Sequence, residues 1–433
     1  MESSQLNKAR LLMNLNRASE AIQELKQWLV LYPEDIEALS LLIQAYISTD
    51  QHKAALETAE DMLGMIPDYS LSHYFYGVTL MLNKRYKEAE ESLLQAIEMD
   101  PWDADYFSML GALHNLQKNW EKGLFYADQG LAVDPEHVRC LNTRTEALTK
   151  LGRLEELQST IEDTLAADPH NAYTQANVGW SKLERGNVHE ARQHFAESLR
   201  INPTYEYAQG GMKEAVKAKN PIYRAYLGYL FWMNRHQSSV QWTIIIGFMI
   251  GQNMIRQYAE RYPILNVALV LMILFMYLTW VMMPIGYLIL QLDSYGRLAL
   301  EKRQKWVGII TGVALLIGIL TLGAYYLIPF FIPVDSSSPA AYYLGQYSHY
   351  YELLFILGLY SLLVIIPLSR VITDAEELPT WFKVVSWGII GLGTLAVIAG
   401  FFYIGLGYMF GTWALLGVVL YGWVYNFVAF RKK

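Results

Sequence analysis

Few residues in this chain are spaced for reaction chemistry. His189 and His194 stand five apart within a helical apolar pattern, whereas three or four would place both rings on one face. They read as solvent-exposed helix histidines. Glu88, Glu90 and Glu91, Glu155 with Glu156, and Glu162 with Asp163 read as wet helix faces. There is no glycine-rich phosphate loop, no His-Glu-x-x-His and no nucleophile elbow. One cysteine, Cys140, excludes an intrachain disulfide and any cysteine-based structural zinc site. The expectation is a non-enzyme, with no cofactor and no metal. A second group suits recognition instead: Tyr74, Asn115, Arg139, Asn142, Glu146, Tyr173, Asn177 and Trp180. Together they would make a mixed aromatic and amide groove. Arg139 with Asn142 could hold one carboxylate, although a solvated helix face is the plainer reading of that pair.

The elements that position these residues are set by six prolines. Pro33, Pro67, Pro101, Pro135, Pro169 and Pro203 recur every 34 residues, with no insertion or deletion. A fixed period of this length means one structural unit copied along a solenoid. Proline has no N–H to donate and cannot continue a helix, so each one should mark the turn between helical units. Each period holds two apolar patterns of helical spacing. In the third, one helix is expected near Leu71–Leu82 and another near Lys87–Met99, joined by the turn "NKRY". Gly77 inside the first costs about 1 kcal/mol relative to alanine, which is tolerable if another helix packs on its bare backbone. Ala89 and Ala96 leave room on one face of the second, and Leu93 fills it.

These residues resemble the tetratricopeptide repeat. With Pro101 at the family's terminal proline, Tyr76, Gly77, Leu80, Ala89, Leu93 and Ala96 fall on its small and large packing positions. The fourth unit matches at Leu110, Gly111 and Pro135, with Gly123, Ala127 and Gly130 in its second helix. The sixth matches at Gly179, Ala191, Phe195 and Pro203, and the second keeps Leu42, Tyr46, Ala55 and Pro67. The fifth departs, with Arg144 and Thr145 for the usual Leu-Gly and Leu157 for the small residue. The first looks truncated, with Ala21, Leu25 and Pro33 in its second helix. The resemblance covers roughly half the chain. It implies a superhelix whose first helices line a concave groove, and protein or peptide binding in place of catalysis.

Charge and hydropathy divide the chain in two. Residues 1–220 hold 33 Asp and Glu against 21 Lys and Arg, a balance of −12; residues 221–433 hold 8 against 13, a balance of +5. An acidic repeat half with no basic stripe does not suit nucleic acid. The first residues, "MESSQLNKARLL", do not read as a signal peptide. The expected organisation is a solenoid with a capping helix over 1–217, an aromatic junction helix over 218–239, and a polytopic membrane domain over 240–433. Tyr223, Tyr226, Tyr229, Phe231 and Trp232, with Arg224 and Arg235, give the junction the character of an interfacial helix.

Six apolar segments follow: Val240–Ile255, Pro263–Leu290, Trp306–Ile332, Leu353–Leu368, Phe382–Phe402 and Thr412–Phe430. The first is short for a span. The fold class expected is therefore all-α, a solenoid followed by a six-helix transmembrane bundle. Basic residues gather in "YGRLALEKRQK", in "SRVITDAEELPTWFK" and in the tail "RKK", whereas Val334–Glu352 carries none and holds five tyrosines. Six spans would put both termini in the cytoplasm. The spans hold almost no ionisable group, only the amides Gln252, Asn253 and Asn266. Gly247 and Gly251 form a small-xxx-small pair, and with Asn253 they are candidates for helix packing within the chain or between copies.

Two functional readings follow. In the first, the chain is a membrane-anchored adaptor that binds a cytoplasmic protein or peptide in its groove, with the bilayer as its second partner and a homo-oligomer or membrane complex as a possible state. Resemblance to bacterial membrane proteins with a cytosolic repeat array favours an inner membrane. In the second, the repeats regulate a transporter, channel or lipid-modifying enzyme. A solvated cavity lined by Gln252, Asn253 and Asn266 would favour the second.

Overall fold

A computed structural model of the protein describes residues 2–331, 348–373 and 378–430, and every element in them is α-helical. The chain divides into two compact units, one of residues 1–212 with 231–241, the other of residues 213–230 with 242–433.

The first unit is a run of helix pairs: α1 (Glu2–Asn14) with α2 (Ala18–Leu31), α3 (Ile36–Ser48) with α4 (His52–Met65), α5 (Ser70–Leu82) with α6 (Tyr86–Met99), α7 (Ala104–Leu116) with α8 (Trp120–Val133), α9 (Val138–Leu151) with α10 (Leu154–Ala167), and α11 (Ala172–Glu184) with α12 (Val188–Ile201). All six prolines lie in the connections between pairs, as their chemistry requires. The next helix starts three residues later each time, and several of its caps are in register. Asp35 accepts from the Ala38 N–H, Asp103 from that of Asp105, and Asn171 from those of Tyr173 and Thr174.

A second ladder stands at the other turn of each repeat. Asn16, Asp50, Lys84, Lys118, Gly152 and Gly186 all have positive φ, between 57° and 81°. They too are 34 apart. Each ends a first helix in the left-handed conformation, which turns the chain sharply into the second helix. Glycine, asparagine and aspartate accept that conformation readily; the two lysines are held there at a cost.

Packing follows the repeat. Ala21, Ala55, Ala89, Leu157 and Ala191, at one register, are all fully buried. A Cβ on Gly77 would lie 2.7 Å from Leu93 Cγ, so the expected close approach of α6 to the bare backbone of α5 is present. The first repeat is not truncated: α1 is a full helix whose Ala9 and Leu12 join the core. The fifth repeat keeps its register by a polar seam. Thr145 donates to Leu141 O at 2.8 Å, and Arg144 donates to Asp128 at 2.7 Å and to Thr160.

α13 (Glu206–Lys217), α14 (Pro221–Asn234) and α15 (Ser238–Ala259) each contribute to both units. The second unit is completed by α16 (Leu265–Leu292), α17 (Ser294–Leu298), α18 (Lys302–Phe331), α19 (Ser348–Thr373), α20 (Thr380–Phe402) and α21 (Ile404–Phe430). Five of these, α16 and α18 to α21, are long and apolar enough to cross a membrane. That corrects the expected six: α15 has 22 residues, but polar groups at both ends keep it outside the set. Leu271, Leu316, Leu320, Val384, Phe402 and Leu420 are among the many exposed apolar side chains of the five, a surface suited to lipid and not to water. The helices run antiparallel. Ser386 meets the Tyr421 hydroxyl at 3.2 Å, while further along the same pair a Cβ on Gly407 would lie 2.7 Å from Gly400 Cα. The Tyr-rich loop expected at 334–352 falls mainly outside the described residues.

Candidate binding groove

The groove residues do not form one constellation. Asn115, Asn142 and Asn177 are almost fully buried and spend their amides between repeats. Asn115 donates to Thr143 O at 3.0 Å, Asn142 to Thr174 Oγ1 at 3.0 Å, and Asn177 to Asn142 O and Oδ1 at 3.0 and 3.1 Å. Their amide nitrogens form a buried ladder that fixes the stacking of α7, α9 and α11, whereas Asn115 Oδ1 is buried without a hydrogen-bond partner. Asn142 is thus not free to grip a carboxylate with Arg139, whose Nη1 instead meets Asp105 Oδ1 at 3.0 Å. His137, 3.2 Å from the same oxygen, is the main cause holding that carboxyl below the usual carboxylate range, with Arg139 adding to it. Tyr74 is also buried, its ring 5.1 Å from that of Tyr106, and burial pushes its hydroxyl up to about 12.

Glu146, Tyr173 and Trp180 do come together. Tyr173 stays 45% exposed and stacks on Tyr207 with centroids 6.3 Å apart. Trp180 lies 5.7 Å from Tyr207 and 5.5 Å from Phe195. Burial pushes the Glu146 carboxyl up, and the Asn115 amide at 3.2 Å and the Lys150 charge oppose this. Lys150 pairs with Glu184, whose side chain is only 4% exposed.

Within this unit the repeats hold a polypeptide segment, residues 231–241 of the same chain. Trp120 Nε1 donates to Arg235 O at 2.7 Å, and Lys118 Nζ donates to His236 O at 3.0 Å. Both carbonyls lie just past the end of α14, where helix carbonyls lack partners and the helix dipole is negative. The lysine and the indole therefore cap that end from the repeats. Phe231 inserts beside Trp180 at 6.4 Å, edge to face, and the Lys150 ammonium lies 5.9 Å from the centroids of both Phe231 and Trp120. Sequence reasoning missed Lys118, Trp120, Lys150, Glu184 and Tyr207. Their one legible signal is the turn "QKNW", where a lysine occupies a left-handed position better suited to glycine.

The other expected residues stand elsewhere. His189 is exposed, but His194 is half-buried, its Nδ1 2.9 Å from Gln175 Oε1, so it is not the surface histidine expected. Cys140 is buried between α7, α8 and α9, its thiol pushed up to about 12 by burial. Among the described residues no three His, Cys, Asp or Glu side chains converge as metal ligands. A Cβ at Gly247 or Gly251 would meet nothing within 4 Å, so neither is a site of close packing inside the chain. Asn253 lines a cleft between α15 and α16.

Two family models described as tetratricopeptide repeat match the chain, over residues 6–70 and 71–101. Among curated proteins it is 21% identical over 258 residues to the BBSome complex member BBS4 of Bos taurus, across 58% of this chain and 48% of that protein. It is 25% identical over 189 residues to the peroxisomal targeting signal receptor of Candida albicans, across 42% of this chain and 32% of the receptor. The chain thus spans about half of the first relative and about a third of the second. Similar solved structures include a tetratricopeptide repeat protein from Parabacteroides merdae, at 15% identity and TM-score 0.43 over 49% of this chain and 83% of that one. Another is YrrB, described as a TPR protein with an unusual peptide-binding site, at 19% identity and TM-score 0.31 over 44% of this chain and 97% of that one. The helix pairs of α1 to α6 fall within these tetratricopeptide-repeat matches, and α7 to α12 continue them at the same 34-residue pitch.

Proposed function

We propose that this protein is a membrane-anchored adaptor: its repeats hold a segment of another protein, and its apolar helices keep that event at a membrane. The observation that carries the reading is the lodged segment 231–241. A groove that satisfies main-chain carbonyls with Trp120 and Lys118, and takes an aromatic side chain beside Trp180, is built to receive polypeptide. Nothing in it resembles a reacting centre.

Orientation is argued from the second unit. Lys219 Nζ meets Asp293 Oδ2 at 2.6 Å, at the Asp293 end of α16 and within that unit. Arg297, Lys302, Arg303 and Lys305 stand at that end, and the antiparallel helices bring Arg370, Lys383 and the end of α21 back to it. The positive-inside rule then favours that basic end, and with it the end of α21, in the cytoplasm. A bacterial inner membrane is the placement that the sequence resemblance favours.

Photo-crosslinking in native membranes tests the adaptor reading. A crosslinker at Tyr173, in the groove, should capture a protein, and one at Val30, exposed on α2, should not. Equal capture at both positions, or none at Tyr173, would overturn it.

The alternative, a transporter or lipid-modifying enzyme governed by the repeats, has one observation in its favour: the cleft beside Asn253, of about 600 Å³, is lined by all three amides Gln252, Asn253 and Asn266. It lies where α15 ends and α16 begins, not midway along the helices.

A further inference from the structure

That cleft has a ligand chemistry of its own. Met249, Gln252, Asn253, Arg256, Ala259 and Glu260 line it from the α15 side, and Asn266, Leu269 and Ile273 from α16. Its polarity is graded, and the two helices agree on the direction. At the turn between them are Arg256, Glu260 and Asn266; next come Gln252 and Asn253; then Met249, Leu269 and Ile273. At 1.5 Å per residue, Glu260 to Met249 is about 16 Å and Asn266 to Ile273 about 10 Å. Charged groups thus give way to amides and then to apolar side chains within the depth of a headgroup and the start of its tails.

The side chains of Arg256, Glu260, Gln252, Asn253 and Asn266 make no hydrogen bond or ion pair with any described residue. Arg256 and Glu260 are four positions apart, a spacing at which a helix pair can bridge, yet no bridge forms. Both charges face outward into a cleft whose net charge is zero.

We propose that this cleft binds one zwitterionic phospholipid with a primary amine, of the phosphatidylethanolamine class. The proposal rests on the membrane reading above. The Arg256 guanidinium takes the phosphate as a fork of donors. The Glu260 carboxylate accepts from the lipid ammonium, the amides serve the glycerol esters, and Met249, Leu269 and Ile273 meet the first methylenes. A phosphatidylglycerol offers Glu260 only neutral hydroxyl donors, with no positive charge to offset the phosphate beside the carboxylate. A phosphatidylcholine has no N–H to donate to it.

Native mass spectrometry of the full chain, released from nanodiscs of mixed lipids, tests this. Phosphatidylethanolamine should be retained about tenfold over phosphatidylglycerol or phosphatidylcholine, the discrimination expected of one charge-assisted contact. Arg256→Gln should remove retention of all three. Glu260→Gln should reverse the preference toward phosphatidylglycerol, while Lys383→Gln, remote in sequence and not lining the cleft, should change nothing. Equal retention by the unaltered chain, or an unchanged preference in Glu260→Gln, overturns the proposal. So does displacement of bound lipid by soluble glycerophosphoethanolamine, which would assign the cleft to a soluble ligand. Carbonate extraction separates the two readings. A chain released without detergent refutes the membrane anchor itself, whereas a chain that stays embedded but shows no lipid preference refutes only this site.

Discussion

Trp120 gives its indole N–H to the main-chain carbonyl of Arg235, 2.7 Å away and 115 positions along the chain. One side chain at the start of a fourth-repeat helix thereby fixes the end of the helix that leaves the repeats. Any partner that uses this stretch of the groove must displace the chain's own segment. Its measured affinity is then reduced by the fraction of molecules in which the segment is lodged.

The first prediction concerns that contact. Trp120→Phe removes the donor but keeps a ring beside Lys150. A neutral hydrogen bond contributes about 1 kcal/mol net, so amide exchange across 231–241 should quicken roughly fivefold. Partner capture at the groove should rise with it. Hydrogen exchange by mass spectrometry reads the first effect; unchanged protection would mean that the apolar contact of Phe231 alone holds the segment.

The left-handed ladder gives a stabilising substitution. Lys84 has φ of 63°, and its two glycine counterparts, Gly152 and Gly186, have 74° and 81°. Lys84→Gly should raise repeat stability by about 1 kcal/mol, because the steric cost of a Cβ in this conformation exceeds the entropy that glycine loses. Gly186→Ala should lower it by about the same amount. Chemical unfolding followed by helix content checks both.

At Gly77 two effects oppose each other. Alanine gains about 1 kcal/mol of helix propensity, but its Cβ would stand 2.7 Å from Leu93 Cγ. Overpacking in a filled core costs about 1–3 kcal/mol, so Gly77→Ala should destabilise the repeats. Leu93→Ala alone should cost about 2–5 kcal/mol. The double variant should cost less than the sum of the two, since the added methyl fills part of the space that leucine vacates. Strict additivity in a double-mutant cycle would rule out the contact.

Histidine burial sets a pH dependence. His114 is 1% exposed and stacked on Tyr126, and burial, outweighing Glu90 3.6 Å away, lowers its pKa; burial lowers that of His194 as well. A histidine depressed in the folded state binds fewer protons there than in the unfolded chain, so stability rises with pH across the interval between the two values. Its contribution is complete above the unfolded value of about 6.5 and is lost as pH falls below it. Unfolding midpoints should therefore drop on going from pH 7 to pH 5. His114→Gln should flatten that slope; an unaltered slope would leave His194 as its source.

The sequence by itself determined the periodic part of this protein. Prolines 34 apart set every turn between repeats, and Gly77 with Leu93 foretold a close helix approach, because both effects are local and repeat in register. It also separated an acidic repeat half from an apolar half. The groove was only partly legible. Asn177 shares α11 with Tyr173 and Trp180, and Asn115 and Asn142 stand on the first helices of earlier repeats, but a residue type does not tell whether it faces the groove or the neighbouring repeat. Only packing turned those amides inward, where each bonds to a backbone or side-chain group of a neighbouring repeat. Lys118 and Trp120 gained their partners because a helix end more than a hundred positions away came to rest on them. The same holds for the second unit. Apolar runs marked its helices, whereas the pairing of Lys219 with Asp293, and the gap left between α15 and α16, arise from long-range contacts that no local pattern encodes.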